Sequence, residues 1–300
     1  MNPAAASIDA VDITAGVLRD WPLPMPGAGG DKEVRGHVLI IAGSREMPGA
    51  LVLAGTAALR AGAGKLTLVT AASIAAQVGV ALPEARVIGL AETADGGLLA
   101  ADARPLHDAC RQAGAVLIGP GMQDDAATTD LVRALLADCA HAPLILDACA
   151  MQVVRGAHGV PFAGPVLLTP HAGEMAGLTG KDREAVAADP EAAAALAAQS
   201  WNAVVVLKGA LTAIATPGGQ RWRHAGGNTG LAISGSGDVL AGLIAGLAAR
   251  GAPPQQAAAW SVALHAMAGE QLAIRHGPLG YLAREIGTEI PRLLRVLSAY

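Results

Sequence analysis

The feature that most constrains the fold is a series of short, wholly apolar runs, of which Val38-Leu39-Ile40-Ile41 is the first, separated by longer Ala- and Leu-rich segments. A strand with one face in water alternates apolar and polar residues. These runs do not, so they read as strands covered on both faces. Strands are predicted near 38–41, 66–70, 85–90, 116–118, 143–146, 166–169 and 204–207, with helices near 49–61, 73–80, 128–138, 148–155 and 189–199. Alternation of this kind requires parallel strands joined by right-handed crossovers. The expected architecture is therefore a three-layer α/β/α sandwich with a mostly parallel central sheet. Asp189-Pro190-Glu191 marks one helix start, with an N-cap, a proline at the first helical position and an acidic first turn. After Lys208-Gly209 the pattern changes to two strands, Leu211 to Ala215 and Gln220 to Arg223, around Pro217-Gly218-Gly219, which reads as a hairpin. A glycine-rich loop at 226–237 and three long helical segments complete the chain. Residues 1–35, with a short helix around 12–20 and the proline- and glycine-rich stretch from Trp21 to Gly30, are expected to be peripheral. Residues 36–300 are expected to form a single domain.

Composition excludes several classes. With 52% hydrophobic residues and a mean hydropathy of +0.42, a membrane protein must be tested first. One long stretch without Asp, Glu, Lys or Arg, Leu66 to Pro83, spans 18 residues, the lower edge for a bilayer helix. It opens as an alternating strand, Leu66-Thr67-Leu68-Val69-Thr70, and passes Ser73, Gln77 and Gly79, so it does not span a membrane. A net charge of −4 without a run of Lys or Arg argues against nucleic acid as a partner. Cys110, Cys139 and Cys149 are spaced 29 and 10 apart, which fits neither a zinc cluster nor a C-x-x-C pair, and free thiols in a reducing cytoplasm are expected. No basic flank precedes an apolar stretch at the N-terminus, so no signal peptide is read there.

Two phosphate motifs fail on spacing. Gly62-Ala63-Gly64-Lys65 has its lysine opening a strand instead of a helix, and Gly119-Pro120-Gly121 has Asp124 where a dinucleotide fingerprint needs its third glycine. The Gly119/Gly121 pair has two open readings, a tight turn or a loop shaped for a ligand. The strongest candidate is Asn228 to Asp238, followed by eleven uncharged residues, Val239 to Ala249, that read as a buried helix. A Gly235-Ser236-Gly237 turn at a helix start leaves backbone N–H groups free to bind an anion. Asp238 would then be a carboxylate beside a bound phosphate, able to take a proton from an attacking hydroxyl; the competing reading is an acid that merely compensates the helix dipole. His171 and Glu174 follow the strand at 166–169, at the sheet edge where open α/β folds bind ligands, and can face one substrate or a metal-bound water. Lys208-Gly209-Ala210-Leu211-Thr212 ends another strand, with structural and functional readings both open. His265 and Glu270, five apart, are off the geometry of a helix-borne metal pair and read as helix surface. Neither Ser234 nor Ser236 has glycine at both −2 and +2, so a hydrolase nucleophile elbow is absent.

Taken in order, Gly36-His37-Val38 to Ser44 with Pro48-Gly49-Ala50, Ala57 to Gly64, Gly119-Pro120-Gly121, Leu146-Asp147-Ala148, Leu168-Thr169-Pro170-His171-x-Gly-Glu174, Leu207-Lys208-Gly209-x-x-Thr212 and Gly227-Asn228-x-Gly230 through Gly235-x-Gly237-Asp238 form one pattern. It resembles the ADP-dependent (S)-NAD(P)H-hydrate dehydratases of the ribokinase-like superfamily, over roughly residues 15 to 298.

The resemblance implies a repair reaction in which hydrated NADH or NADPH is returned to the working cofactor. The terminal phosphate of ADP passes to the C6 hydroxyl of the hydrate, and the ester is eliminated, releasing AMP and phosphate. On this reading Asp238 is the base, and Gly235, Ser236 and Gly237 hold the transferring phosphoryl group. The segment Lys208, Gly209, Ala210, Leu211 and Thr212 joins them in binding the nucleotide, while Ala54, Gly121, His171 and Asn228 contact the dinucleotide substrate together with Asp238. Glu174 takes the position of a carboxylate that holds a Mg2+-bound water. A cytoplasmic homotetramer is implied, as is a separate NAD(P)H-hydrate epimerase, since the chain has no room for the epimerase domain fused in many relatives. Two positions depart from the family pattern: Cys149 stands where a second aspartate is common, and Ser236 where threonine is common. Two rivals are an ATP-dependent kinase of a small vitamin-type alcohol, which would share the Gly-Gly-Asp chemistry, and a nucleotide-binding regulator without turnover. Thr169-Pro170-His171 and Lys208-Gly209 favour the dehydratase over the kinase. With aromatics at 2%, adenine and nicotinamide are expected to be held by backbone and aliphatic contacts.

Overall fold

A computed structural model describes residues 9–27, 29–99, 104–156 and 162–298. Ten strands form one sheet: β1 (Val11–Asp12), β2 (His37–Ile41), β3 (Lys65–Ala71), β4 (Arg86–Leu90), β5 (Ala115–Ile118), β6 (Leu144–Leu146), β7 (Val166–Leu168), β8 (Val204–Leu207), β9 (Leu211–Ala215) and β10 (Arg221–Ala225). Their spatial order is β1-β10-β9-β8-β7-β6-β5-β2-β3-β4. From β4 through β8 every pairing is parallel, whereas β9 is antiparallel to both β8 and β10. The mostly parallel sheet and the hairpin read from the sequence are both present.

The apolar runs divide between two cores with the period of two that a strand imposes. Val38 and Ile40 of β2, Ala115 and Leu117 of β5, and Val204 and Val206 of β8 face one core. Leu39, Ile41, Val116, Ile118, Val205 and Leu207 face the other. The first core is covered by α1 (Ala15–Asp20), α2 (Pro48–Arg60), α3 (Ala75–Ala81), α9 (Ser236–Ala249), α10 (Pro254–His276) and α11 (Ala283–Leu297). The second is covered by α4 (Arg104–Gln112), α5 (Asp125–Leu135), α6 (Ala172–Thr179), α7 (Arg183–Ala188) and α8 (Pro190–Trp201), with a 3-10 turn at Ala148–Val154. This is the three-layer arrangement.

Helix α9 is buried along almost its whole length, and glycine is the reason it can be. A Cβ on Gly242 would lie 2.2 Å from the carbonyl oxygen of Ala54, and one on Gly246 would lie 2.6 Å from that of Ala58. Helices α2 and α9 therefore meet backbone to backbone, a contact closer than side chains allow.

Several boundaries differ from the sequence reading. The predicted helix around 12–20 is a short strand pairing with β10 followed by a helix only at 15–20, capped by Thr14. Its Leu18, together with Ile13 and Leu23, is buried in the core, so this stretch is less peripheral than composition implied. The helix placed at 128–138 starts at Asp125, because the Asp124 side chain accepts the Ala127 N–H at 3.1 Å. The 148–155 segment is 3-10 rather than α-helical. Asp189 caps α8 as expected, accepting the Ala192 N–H at 3.0 Å. No described helix is long and apolar enough to cross a membrane.

Candidate active site

The chain builds β3 and β4 outward from one side of β2, then crosses back to lay β5 against the other side. Loops leaving the carboxyl ends of β2 and β5 diverge at this switch point, which is where open α/β sheets bind ligands. Gly119 sits here with φ of 129°, and a Cβ on it would lie 1.8 Å from the Asp147 carbonyl oxygen. Only glycine fits, and the loop is held tight against the end of β6.

Next along the sheet, the carboxyl ends of β6, β7 and β8 present Asp147, Thr169 and Lys208. The Thr169 hydroxyl donates to Asp147 Oδ1 at 2.5 Å, and Lys208 Nζ donates to the same oxygen at 3.1 Å. Glu174 Oε2 lies 3.8 Å from Lys208 Nζ. Burial alone would lower the Lys208 pKa, but the negative charges of Asp147, Glu174 and Asp238 outweigh it and the ammonium is held above its ordinary value. A Cβ on Gly237 would be 3.5 Å from Lys208 Nζ, so the cation stands over the first turn of α9. There Asp238, half-buried, has its carboxyl pushed up to about 6, first by burial and then by the charge of Asp147, with Lys208 opposing. An aspartate so held is ionised at neutral pH yet close enough to it to exchange a proton.

His171 caps α6. Its Nδ1 accepts the N–H groups of Gly173 and Glu174 at 3.0 and 3.2 Å, while Glu174 Oε2 accepts the His171 N–H at 2.8 Å. With Nδ1 an acceptor, the neutral ring carries its proton on Nε2. His171, Lys208, Gly209, Ala210, Thr212, Ser236 and Gly237 all line one cleft of about 840 Å3. Its apolar wall is Leu231, Ile233, Leu240 and Val262, and among the described residues no Phe, Tyr or Trp lines it. Asn228 also borders it, with its Oδ1 taken by the Gly230 N–H at 2.9 Å and the Tyr281 hydroxyl at 2.8 Å.

The structure thus gathers most of the predicted residues, with Asp238 and Glu174 adjoining the cleft through Lys208. Leu211 and Gly235 are outside its lining, although each is bonded to residues within it. Ala54 lies outside the cleft lining, buried with its carbonyl oxygen under Gly242. Gly121 lies at the switch point, packed on Ala50 and Met47. His265 is a correction. It is not helix surface; its Nε2 lies 3.0 Å from Ser236 Oγ and 3.1 Å from the Ser236 carbonyl oxygen. Sequence reasoning also gave Asp147 no role, although its place one residue past the end of a central strand was the available signal.

Comparison with known proteins gives the family. The family described as NAD(P)H-hydrate dehydratase matches residues 38–292. The chain is 51% identical to the ADP-dependent (S)-NAD(P)H-hydrate dehydratase of Xanthomonas campestris pv. campestris, over 94% of this chain and 95% of that one. It also spans about half the length of bifunctional NAD(P)H-hydrate repair enzymes that it matches. Among solved structures, the ADP/ATP-dependent NAD(P)H-hydrate dehydratase of Bacillus subtilis, co-crystallized with ATP/Mg2+, superposes with a TM-score of 0.81 at 31% identity, covering 97% of this chain and 99% of that one. A ribokinase-like superfamily protein of Enterococcus faecalis superposes with a TM-score of 0.83 at 26% identity, covering all of both chains. Fold, family match and full-length similarity converge: this chain belongs to the NAD(P)H-hydrate dehydratase family, on a ribokinase-like fold.

Proposed function

We propose that this chain is an ADP-dependent (S)-NAD(P)H-hydrate dehydratase that restores NADH or NADPH from its C6 hydrate. One observation carries the assignment of roles: a carboxylate held near neutrality, Asp238, stands in the first turn of a buried helix beside a lysine that faces the nucleotide-sized cleft. Asp238 takes the proton of the C6 hydroxyl as that oxygen attacks the terminal phosphorus of ADP; the bond to the bridging oxygen breaks and AMP leaves. The resulting phosphate ester is then eliminated: the C6–O bond breaks with the lone pair of the ring nitrogen assisting, a proton leaves C5 to solvent, and the ring double bond is restored as phosphate is released. The Ser236 N–H is taken by the Ile233 carbonyl oxygen at 3.2 Å, so the phosphoryl charge is stabilised by the remaining N–H groups at the positive end of α9, with Gly235 and Gly237 leaving room for it. Lys208 neutralises the same group, and its ties to Asp147 and Glu174 fix where it stands. Gly209, Ala210 and Thr212 border the nucleotide, with adenine against the aliphatic wall, and Gly121 and His171 border the dinucleotide.

The donor set fits an outer-sphere Mg2+. Among the described residues no cluster of three or more His, Cys, Asp or Glu forms a closed cage. Mg2+ at phosphates needs none, because it keeps several waters and one or two carboxylates. Glu174 would hold it through water, and the ion would supply charge neutralisation on the phosphates.

The test is recovery of 340 nm absorbance from chemically prepared NADH hydrate with ADP and Mg2+. Recovery with stoichiometric AMP and phosphate supports the assignment. Phosphate transfer to an alcohol without recovery would replace it with the kinase reading, and binding without turnover would replace it with a regulator. The same reading expects a cytoplasmic homotetramer supplied with the (S) epimer by a separate epimerase.

A further inference from the structure

Helix α10 holds the glycine-rich loop between β10 and α9 at both ends. Glu270 Oε1 accepts the Gly227 N–H at 2.9 Å at the start of the loop, and His265 Nε2 meets Ser236 at its end. The five-residue spacing that does not suit a metal pair suits this bridge, because the loop wraps across the helix and needs two anchors a full turn and more apart.

The contact of His265 with Ser236 has a definite polarity. A carbonyl oxygen only accepts, so the nitrogen 3.1 Å from the Ser236 carbonyl carries the proton. That same Nε2–H also reaches Ser236 Oγ at 3.0 Å, where the hydroxyl must then act as acceptor. The nitrogen cannot take the serine proton as well. The Ser236 hydroxyl hydrogen is left to turn toward the cleft that both residues line. We propose that His265 is a positioning residue: its Nε2–H orients the Ser236 hydroxyl so that the hydroxyl donates to the terminal phosphate of a bound nucleoside diphosphate, adding a side-chain donor to the backbone ones of the turn. Burial pushes the His265 pKa down to about 4, against the backbone bond to Ser236 and with the charge of Lys208 adding to it, so the ring stays neutral under working conditions. The inference rests on the cleft being the ADP site.

The test is calorimetric affinity for ADP and for AMP in the wild-type protein, H265L, H265Q, S236A and the double variant H265L/S236A. A hydrogen bond to a charged group is at stake, so H265L and S236A should each weaken ADP by about 10-fold or more while AMP, lacking the terminal phosphate, binds as before. H265Q, whose amide N–H can reach the Nε2 position, should stay within about 3-fold of wild type, and H265L should add nothing in the S236A background. Equal losses for ADP and AMP, or an undiminished effect of H265L in S236A, would overturn the proposal. Should H265L not fold, 15N shifts of the imidazole in the wild-type protein decide it: an Nε2–H ring supports the assignment and an Nδ1–H ring overturns it. Wild-type protein that binds no ADP would overturn the nucleotide reading and the role of Ser236 with it, whereas ADP binding without dehydration would overturn only the reaction.

Discussion

Replacing Asp238 by Asn should separate stability from activity, in opposite directions. The carboxyl sits at about 6 because the half-buried site disfavours its charge. Relative to an ordinary aspartate near 4, that difference corresponds to roughly 3 kcal/mol of native stability at neutral pH. The sign follows from proton binding: between about pH 4 and 6 the folded state holds a proton that the unfolded state has lost, so stability falls as pH rises through this window. Above about 6 the full cost is present, and below 4 it is gone. D238N lacks the charge at every pH. At pH 7 it should therefore be more stable than wild type by up to about 3 kcal/mol, on the order of 5 °C in Tm for a chain of this size. At pH 4 the gain should shrink toward zero. Turnover should fall by at least about 10²-fold, the lower range for a lost general base, with ADP affinity largely kept. Scanning calorimetry at both pH values and the 340 nm assay read the two effects. A Tm at pH 7 that is unchanged or lowered would refute the burial argument, and near-normal turnover would refute the role of Asp238 as base.

The neighbours of Asp238 should move the acid limb of the pH–rate profile from about 6 in opposite senses. D147N removes a negative charge that raises the Asp238 pKa and should move the limb down, while K208M removes a positive charge that lowers it and should move the limb up; a common direction for both would contradict the coupling. Gly242→Ala places a methyl where 2.2 Å separates it from the Ala54 carbonyl oxygen, and thermal unfolding should show a loss of about 1–3 kcal/mol from forcing the seam apart. Cys149, whose thiol is pushed up to about 11 mainly by burial, should resist iodoacetamide at pH 8 in the folded protein and react on addition of denaturant; fast labelling of the native chain would show that it is open to solvent.

The sequence made the sheet legible because its strands are buried on both faces, and nothing but a doubly covered parallel strand explains Val38-Leu39-Ile40-Ile41 next to Ala115-Val116-Leu117-Ile118. The start of the buried helix was legible for a similar reason: Gly235-Ser236-Gly237-Asp238 runs into a helix with no polar face. What escaped the reading depends on partners distant in sequence. Asp147 acquires meaning only when β7 and β8 bring Thr169 and Lys208 to the same oxygen. His265 looks like a surface histidine until α10 is laid under a loop 29 residues earlier. The burial of Ala54 was equally hidden, because no local signal says that its carbonyl will be covered by Gly242. The strand at Val11–Asp12 was missed because two residues carry no period.

The seam between α2 and α9 has a consequence for how this enzyme could change. One helix begins beside the β2–β5 switch point, where Met47 and Ala50 pack on Gly121; the other begins at Ser236 and Asp238. Because glycine lets their main chains touch, the distance between the proposed hydrate and nucleotide ends of the site is set by peptide geometry and not by interchangeable side chains. On the proposed mechanism the two helices act as a gauge block for phosphoryl transfer. Preference between one nucleotide and another, or between NADH and NADPH hydrates, is therefore free to drift only in the loops at the two mouths, while the spacing across which the phosphoryl group travels stays constant.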